Sequence, residues 1–287
     1  MTTYNFVPAR NRKYGWLPDR PDKRDKLYAA LPIDALPEKV SLRHLCSAVE
    51  DQGSLSSCVG NACAGMLEAL ENKNSNTTII TTPAPLSLWG RFLCAIGWKK
   101  TGCTIVKTVS ETFQEVSRLF IYYNGRARDG LEKYDRGCYI RSALKSLNTL
   151  GYCWEPLWGY DYNRVNVKPE LRCYEDAKPK VITEYRSLLT NAEMMTCLAE
   201  GYPFVIGLSI FTGFDSSKAR LTGVIDMPKP SEASLGGHAV LCVGYDRSTK
   251  RFLMKNSWGE GWGDNGYFTI PFDYVAGYGS DAWTIRK

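Results

Sequence analysis

Apolar and polar positions change rhythm about halfway along the chain. From residue 58 to about 72, Val59, Ala62, Cys63, Met66 and Leu70 recur at three- and four-residue steps, the spacing of one helix face. Two more helices are predicted over 113–123 and 139–150, the second stopped by Gly151, where a left-handed C-cap is easiest. A shorter helix is predicted around 191–200, with Asn191 as its cap and Gly201 after it. Beyond that the pattern changes. "PFVIGLSI", "HAVLCVGYD", "RFLMKNSW" and "YFTIP" are short β-branched or aromatic runs separated by glycine-rich turns, which predicts strands. A helical first half and a strand-rich second half imply an α+β fold of two lobes meeting at a cleft.

The pattern also divides the chain. Residues 1–38 are rich in proline, arginine and aspartate, with scattered apolar residues at Tyr4, Phe6, Trp16, Leu17 and Tyr28, and read as an extended arm. Residues 39–150 form the expected helical lobe and 151–287 the expected β-rich lobe. "NKNSNTTIITTPAP" opens an irregular insertion over 76–112 within the first.

Composition changes this picture little. A length of 287 residues allows one large domain or two lobes, and a net charge of +6 spread along the chain does not imply a nucleic-acid partner. No apolar run approaches a membrane span, so no membrane association is expected. The first thirty residues lack a secretory h-region, which sets the expectation of a cytoplasmic protein or of export by a non-standard route. Ten cysteines without that signal read by default as reduced thiols, with room for one or two structural bridges. There is no Cys-x-x-Cys and there are only two histidines, so no metal site and no cofactor are expected. Asn76-Thr77-Thr78 is a formal glycosylation sequon that matters only in a secreted chain. "GWGDNG", 261–266, has the glycine spacing of a dinucleotide loop, but a strand follows it instead of a helix, so it reads as a turn between strands.

The chemistry gathers around one cysteine. In "DQGSLSSCVGNACAGMLEAL", residues 51–70, Cys58 stands at the first turn of a helix, where unpaired N–H groups and the helix dipole favour a thiolate. A thiolate nucleophile needs a neighbouring base. His44 lies in a loop with no evident partner and reads as a surface or packing residue. His238 follows Gly236-Gly237 at the start of a predicted hairpin. If Tyr245 pairs with Arg251, His238 lies opposite Trp258, and Asn256 is its diagonal neighbour within side-chain reach. The Asn256 carbonyl can then fix the imidazole so that its other nitrogen faces the thiol.

"DQGSLSSC", "GGHAVLCVGYD" and "KNSWGEGWGDNGYF" together resemble the three signature blocks of the papain-like cysteine peptidases. "LPEKVSLR" is similar to the start of the mature enzyme and "GYCWEPLWGYD" to a segment opening its second lobe, so the resemblance spans roughly residues 36–270. It implies a two-lobed papain-like endopeptidase with Cys58 as nucleophile and His238 as general base and acid. Asn256 would orient His238, under Trp258 as a shield from water. Gln52 would join the Cys58 backbone N–H in holding the oxyanion, each donor being worth roughly 3 kcal/mol of barrier. Gly137 and Cys138 in "DRGCY" would meet an extended peptide, as would Gly237 and Trp258. The implied partners are peptide or protein substrates and protein inhibitors of such enzymes. Leu55 stands where the family usually has a disulfide-forming cysteine, and Val59 where it usually has tryptophan. Only about 38 residues precede the matching start, against a family propeptide of around a hundred. Tyr14, Trp16 and Leu17 could still cross the cleft and hold the enzyme as a zymogen, or the arm could be a simple strap. A catalytically silent binding protein on the same scaffold, or an acyl transferase using the same thioester, are the alternatives.

Overall fold

The computed structural model describes residues 14–75, 80–83, 104–107 and 113–287. Tyr4, Phe6, the Asn76 sequon, Cys94, Cys103 and most of the expected 76–112 insertion lie outside the described residues. The chain divides into two compact units, residues 1–70 with 114–287, and residues 71–113. Within the second unit, strands β3 (Ile80–Pro83) and β4 (Thr104–Lys107) form an antiparallel hairpin with Ile80 opposite Lys107.

In the first unit, β1 is Trp16–Leu17 and β2 is Lys39–Ser41. Helix α1 runs Cys58–Ser75, starting where the apolar spacing begins, and from residue 71 belongs to the second unit. Helix α2 is Arg118–Ala127, β5 is Cys138–Tyr139 and α3 is Ile140–Leu150. They are followed by α4 (Leu171–Ala177), β6 (Glu184–Leu188) and α5 (Asn191–Ala199). The remainder is β7 (Phe204–Phe211), α6 (Ser217–Thr222), β8 (Ser234–Asp246), β9 (Arg251–Lys255), β10 (Tyr267–Pro271), α7 (Phe272–Tyr278) and β11 (Gly279–Arg286).

Two helix starts differ from expectation. The segment expected to be helical from 113 stays extended until Ser117, because Val116 bridges Trp154 and gives its N–H to Glu68 Oε1 at 2.8 Å. Ser117 then caps α2 by accepting from Phe120 N. Helix α5 is capped by Thr190 and not by Asn191. Thr190 Oγ1 accepts from Glu193 N, and the Glu193 carboxylate returns to the Thr190 N–H, a reciprocal box that Asn191 could not complete.

The main sheet has the order β10-β9-β8-β7-β11-β6, with β2 pairing on β8, and every pairing is antiparallel. Strands β7 and β8 are buried over most of their length, which explains why they read as nearly continuous apolar runs. The β8–β9 register at the turn is Tyr245 to Phe252, one residue from the expected pairing. A bulge between Cys242 and Gly244 absorbs that residue, so Leu241 meets Lys255, the register predicted for the end that carries His238.

The expected lobe boundary at residue 150 does not follow the contacts. Ser117 N donates to Cys153 O at 2.9 Å, Ser117 Oγ to Trp158 O at 2.6 Å, and Tyr174 OH to Asn124 Oδ1 at 2.9 Å. Residues 151–177 therefore pack on the helical lobe, because the polar groups at the start and on the face of α2 find their partners there. Residues 39–41, expected in the helical lobe, instead extend the sheet.

Candidate active site

Residues 50–52 lie beside 257–259, which brings the start of α1 to the sheet. Gln52 N donates to Ser257 O at 2.9 Å, Gly259 N to Glu50 O at 2.9 Å, and Asp51 bridges Trp258. The Gln52 side chain is fixed from both ends: Oε1 accepts from Ser257 Oγ at 2.7 Å, and Nε2 donates to Leu55 O at 2.8 Å. Ser56 N donates to Asp135 Oδ1 at 2.9 Å, and Tyr160 OH reaches Gln52 O at 3.0 Å and Ser57 Oγ at 2.5 Å. The turn leading into Cys58 is thus held by side chains from two other loops.

His238 sits in β8 opposite Leu208 of β7. His238 Nε2 and Asn256 Oδ1 are 2.8 Å apart. Asn256 Oδ1 also accepts from Ser257 N at 2.9 Å, and since a backbone N–H can only donate, this atom is the amide oxygen. His238 Nε2 must therefore carry the hydrogen, leaving the lone pair on Nδ1. The Trp258 ring stacks on the imidazole at 4.7 Å and 24°, with Phe214 and Trp262 edge-on behind it at 5.6 and 5.1 Å. Cys58 and His238 are both 0% exposed. Gly15 packs on the turn before Cys58, where an added Cβ would come within 1.8 Å of Ser56 O. Burial is the largest influence on the Cys58 thiol and pushes it up to about 11.

Gly15 belongs to the arm, which covers the site. Cys138 N donates to Gly15 O at 2.8 Å, and β1 pairs with β5 in parallel, Trp16 with Cys138 and Leu17 with Tyr139. The Trp16 ring lies against Gly207 and Gly237, where an added Cβ would come within 2.0 and 2.6 Å of it, so the slot exists only because both are glycine. Trp16 Nε1 donates to Asp281 Oδ2 at 3.1 Å. The Tyr14 ring stands edge-on to His238 and Trp258 at 6.4 and 6.3 Å. Asp19 N donates to Asp281 Oδ2 at 2.7 Å, while the Asp19 carboxylate accepts from Trp283 Nε1 at 3.0 Å and Arg141 N at 3.3 Å. Burial, then the neighbouring Asp281 carboxylate, push Asp19 up to about 7, with Arg141 opposing.

Cys58, His238, Asn256, Gln52, Gly137, Cys138, Gly237 and Trp258 therefore stand around one place, and His44 is exposed elsewhere. Asp135, Tyr122, Tyr160, Ser257 and Asp281 were not singled out from the sequence. Tyr122 OH links Asp135 Oδ1 at 2.8 Å to Gly137 N at 3.0 Å, tying the "DRGCY" loop to the turn before Cys58. No local pattern marks these residues, since each acts across a long stretch of chain.

Residues 36–279 match the family model described as papain family cysteine protease. A peptidase C1-like protein of Acanthamoeba polyphaga mimivirus is 32% identical over 96% of this chain and 88% of its own length. The crystal structure of Xylellain, a cysteine protease from Xylella fastidiosa, superposes with a TM-score of 0.78 at 32% identity, covering 96% of this chain and 97% of that one. A Carica candamarcensis cysteine protease in complex with E-64 shares the fold at 20% identity and a TM-score of 0.55, covering 88% and 99%. The helical lobe, the antiparallel sheet and the cysteine at the helix start have one common explanation: this chain belongs to the papain family and is a papain-like cysteine peptidase.

Proposed function

We propose that the chain hydrolyses peptide bonds through a thioester on Cys58, and that Tyr14–Leu17 keep it latent until they leave the cleft. The hydrogen bond between His238 Nε2 and Asn256 Oδ1 carries the catalytic reading, because it leaves Nδ1 as the nitrogen able to take a proton. His238 Nδ1 removes the Cys58 proton, and Asn256 Oδ1 stabilises the imidazolium through Nε2–H. The thiolate adds to the peptide carbonyl, and the resulting oxyanion accepts from Cys58 N–H and Gln52 Nε2. Collapse to the thioester passes the proton from His238 to the leaving amine. Water, deprotonated by His238, then releases the acid and restores the thiol. Gly137, Cys138, Gly237 and Trp258 line the path of an extended peptide, and protein inhibitors of papain-like enzymes would compete there.

Latency rests on what the arm presents. Gly15 packs so closely on Ser56, two residues before Cys58, that an added Cβ would meet Ser56 O at 1.8 Å, and Cys58 is fully buried beneath the arm. Cys138 N, a donor available to a substrate backbone, is taken by Gly15 O. The test is labelling by an epoxide that traps papain-type thiolates, on the full chain and on Trp16→Ala and Cys58→Ala. Removing the Trp16 anchor should raise the labelling rate at least about 10-fold, since losing a buried tryptophan costs several kcal/mol of docking. Cys58→Ala should not label. Equal rates in the full chain and Trp16→Ala would end the latency reading, and no labelling of either folded protein would turn the site into a silent binding groove.

A further inference from the structure

Ala62, Ala64 and Gly65 of α1 and Ala239, Val240 and Leu241 of β8 line a cavity of about 10 Å³, close to the room that one water molecule needs. Asn61, in the first turn of α1, and Asn256, next after β9, also line it and are only 6% and 3% exposed. Each amide is oriented by a backbone group that allows one reading. Asn61 Nδ2 donates to Ser57 O at 3.0 Å, and a carbonyl can only accept, so the atom left over is the oxygen, Oδ1. Asn256 Oδ1 accepts from Ser257 N, so the atom left over there is the nitrogen, Nδ2. Neither Asn61 Oδ1 nor Asn256 Nδ2 has a hydrogen-bond partner among the described residues. Two residues of one cavity thus carry a spare buried acceptor and a spare buried donor. That pair is complementary to a molecule that both accepts and donates.

We infer that this cavity is a water site and that Asn61 is a positioning residue for the proposed reaction. One water accepts from Asn256 Nδ2 and donates to Asn61 Oδ1, and so fixes the amide whose other edge, Oδ1, faces His238 Nε2 at 2.8 Å. The inference rests on the catalytic reading above for what Asn256 does to His238. Glu50, Glu68 and Lys255 line the same cavity, so the water has further polar neighbours. Without the Asn61 oxygen, a buried N–H of Asn256 is left with no acceptor. The amide then gains by turning to find one, and in turning it releases Nε2.

The test compares crystal structures, at a resolution that shows ordered waters, of the full chain, Asn61→Leu and Asn61→Asp. Leucine is close to asparagine in size and offers no acceptor. An aspartic acid kept protonated by burial retains a carbonyl oxygen and can still donate to Ser57 O. The full chain should show one water within about 3.2 Å of both Asn61 Oδ1 and Asn256 Nδ2. Asn61→Leu should lose it and draw Asn256 Oδ1 beyond about 3.5 Å from His238 Nε2, and Asn61→Asp should keep both. In the Trp16→Ala background, epoxide labelling should slow about 10-fold with Asn61→Leu and recover with Asn61→Asp. No water in the full chain overturns the water site. An unmoved Asn256 amide or an unchanged labelling rate in Asn61→Leu overturns the positioning role. If Trp16→Ala itself did not label, the catalytic reading would fall, and the water and the amide position would still decide this inference.

Discussion

At the residue scale, the site depends on how single atoms are committed. Asn256 Oδ1 accepts from Ser257 N as well as facing His238 Nε2, so one backbone N–H decides the tautomer of the histidine. Cys58 has the opposite problem, since the arm removes water from a sulfur that the proposed mechanism needs ionised. With the thiol raised to about 11 in the covered state, its deprotonation should grow only as pH climbs toward that value. Trp16→Ala returns water to the sulfur and should move the midpoint downward. Iodoacetamide rates against pH in the two proteins read this directly, and coincident midpoints would remove the arm as the cause. Cys58, His238 and Asn256 were legible because each sits in a local pattern: a helix start, a Gly-Gly strand start and a hairpin arm. Asp135, Tyr160 and Asp281 were not, because each works through partners far away in sequence.

At the scale of elements, the arm has a chemical grip as well as a shape. Asp19 and Asp281 meet where the arm passes β11, with Arg141 of α3 beside them and Asp25 bound to the Arg141 guanidinium at 2.6 Å. Docked Asp19 is raised to about 7, well above an ordinary carboxylate, so docking takes up a proton. The contribution is fully present below the ordinary carboxylate range and is lost as pH rises through about 7. The arm should therefore hold more tightly in acid and loosen toward neutral pH. Epoxide labelling of the full chain, divided by that of Trp16→Ala at each pH, should rise from pH 4 to 8, and Asp19→Asn should flatten the curve. A ratio that falls over that range would reverse the sign and refute the grip. The strand patterns and the β8–β9 pairing near His238 were readable from alternation and turn chemistry. The start of α2 was not, because an extended link to Trp154 overrides the local helical spacing, and the bulge at Val243 left no mark in composition.

At the scale of the whole molecule, a buried cation holds the helical lobe to its loops. Arg126 is fully buried beneath the Tyr122 ring, 4.0 Å away. It donates to Tyr122 O at 3.3 Å, Tyr134 O at 2.6 Å, Asn166 Oδ1 at 2.8 Å and Val165 O. Arg126→Met would leave those buried acceptors unpaired and should cost about 3 kcal/mol or more, read from the denaturant midpoint. An unchanged midpoint would mean the loops find other donors. The two-lobed α+β architecture was legible from the order of helices and strands. The lobe boundary was not, because residues 151–177 follow the strand-side break in the sequence yet pack on the helices.

The arm is fastened again beyond its Asp19 and Asp25 contacts. Beyond Trp16–Leu17, Leu27 bridges Ser187 of β6, Tyr28 N donates to Ser187 O at 2.9 Å, and Arg286 reaches Tyr28 OH at 2.7 Å. If Tyr14–Leu17 block the cleft as proposed, they are a tethered ligand, present at an effective concentration on the order of millimolar however dilute the protein. A single cut between Leu17 and Asp19 would abolish the tether while the Asp19 and Asp25 contacts and the strap on β6 stay in place. The upstream piece then escapes by dilution, while the downstream strap stays on β6. Activation under the proposed latency would be graded by total protein concentration: a crowded solution of freshly cut chains would stay partly silent, and a dilute one would wake.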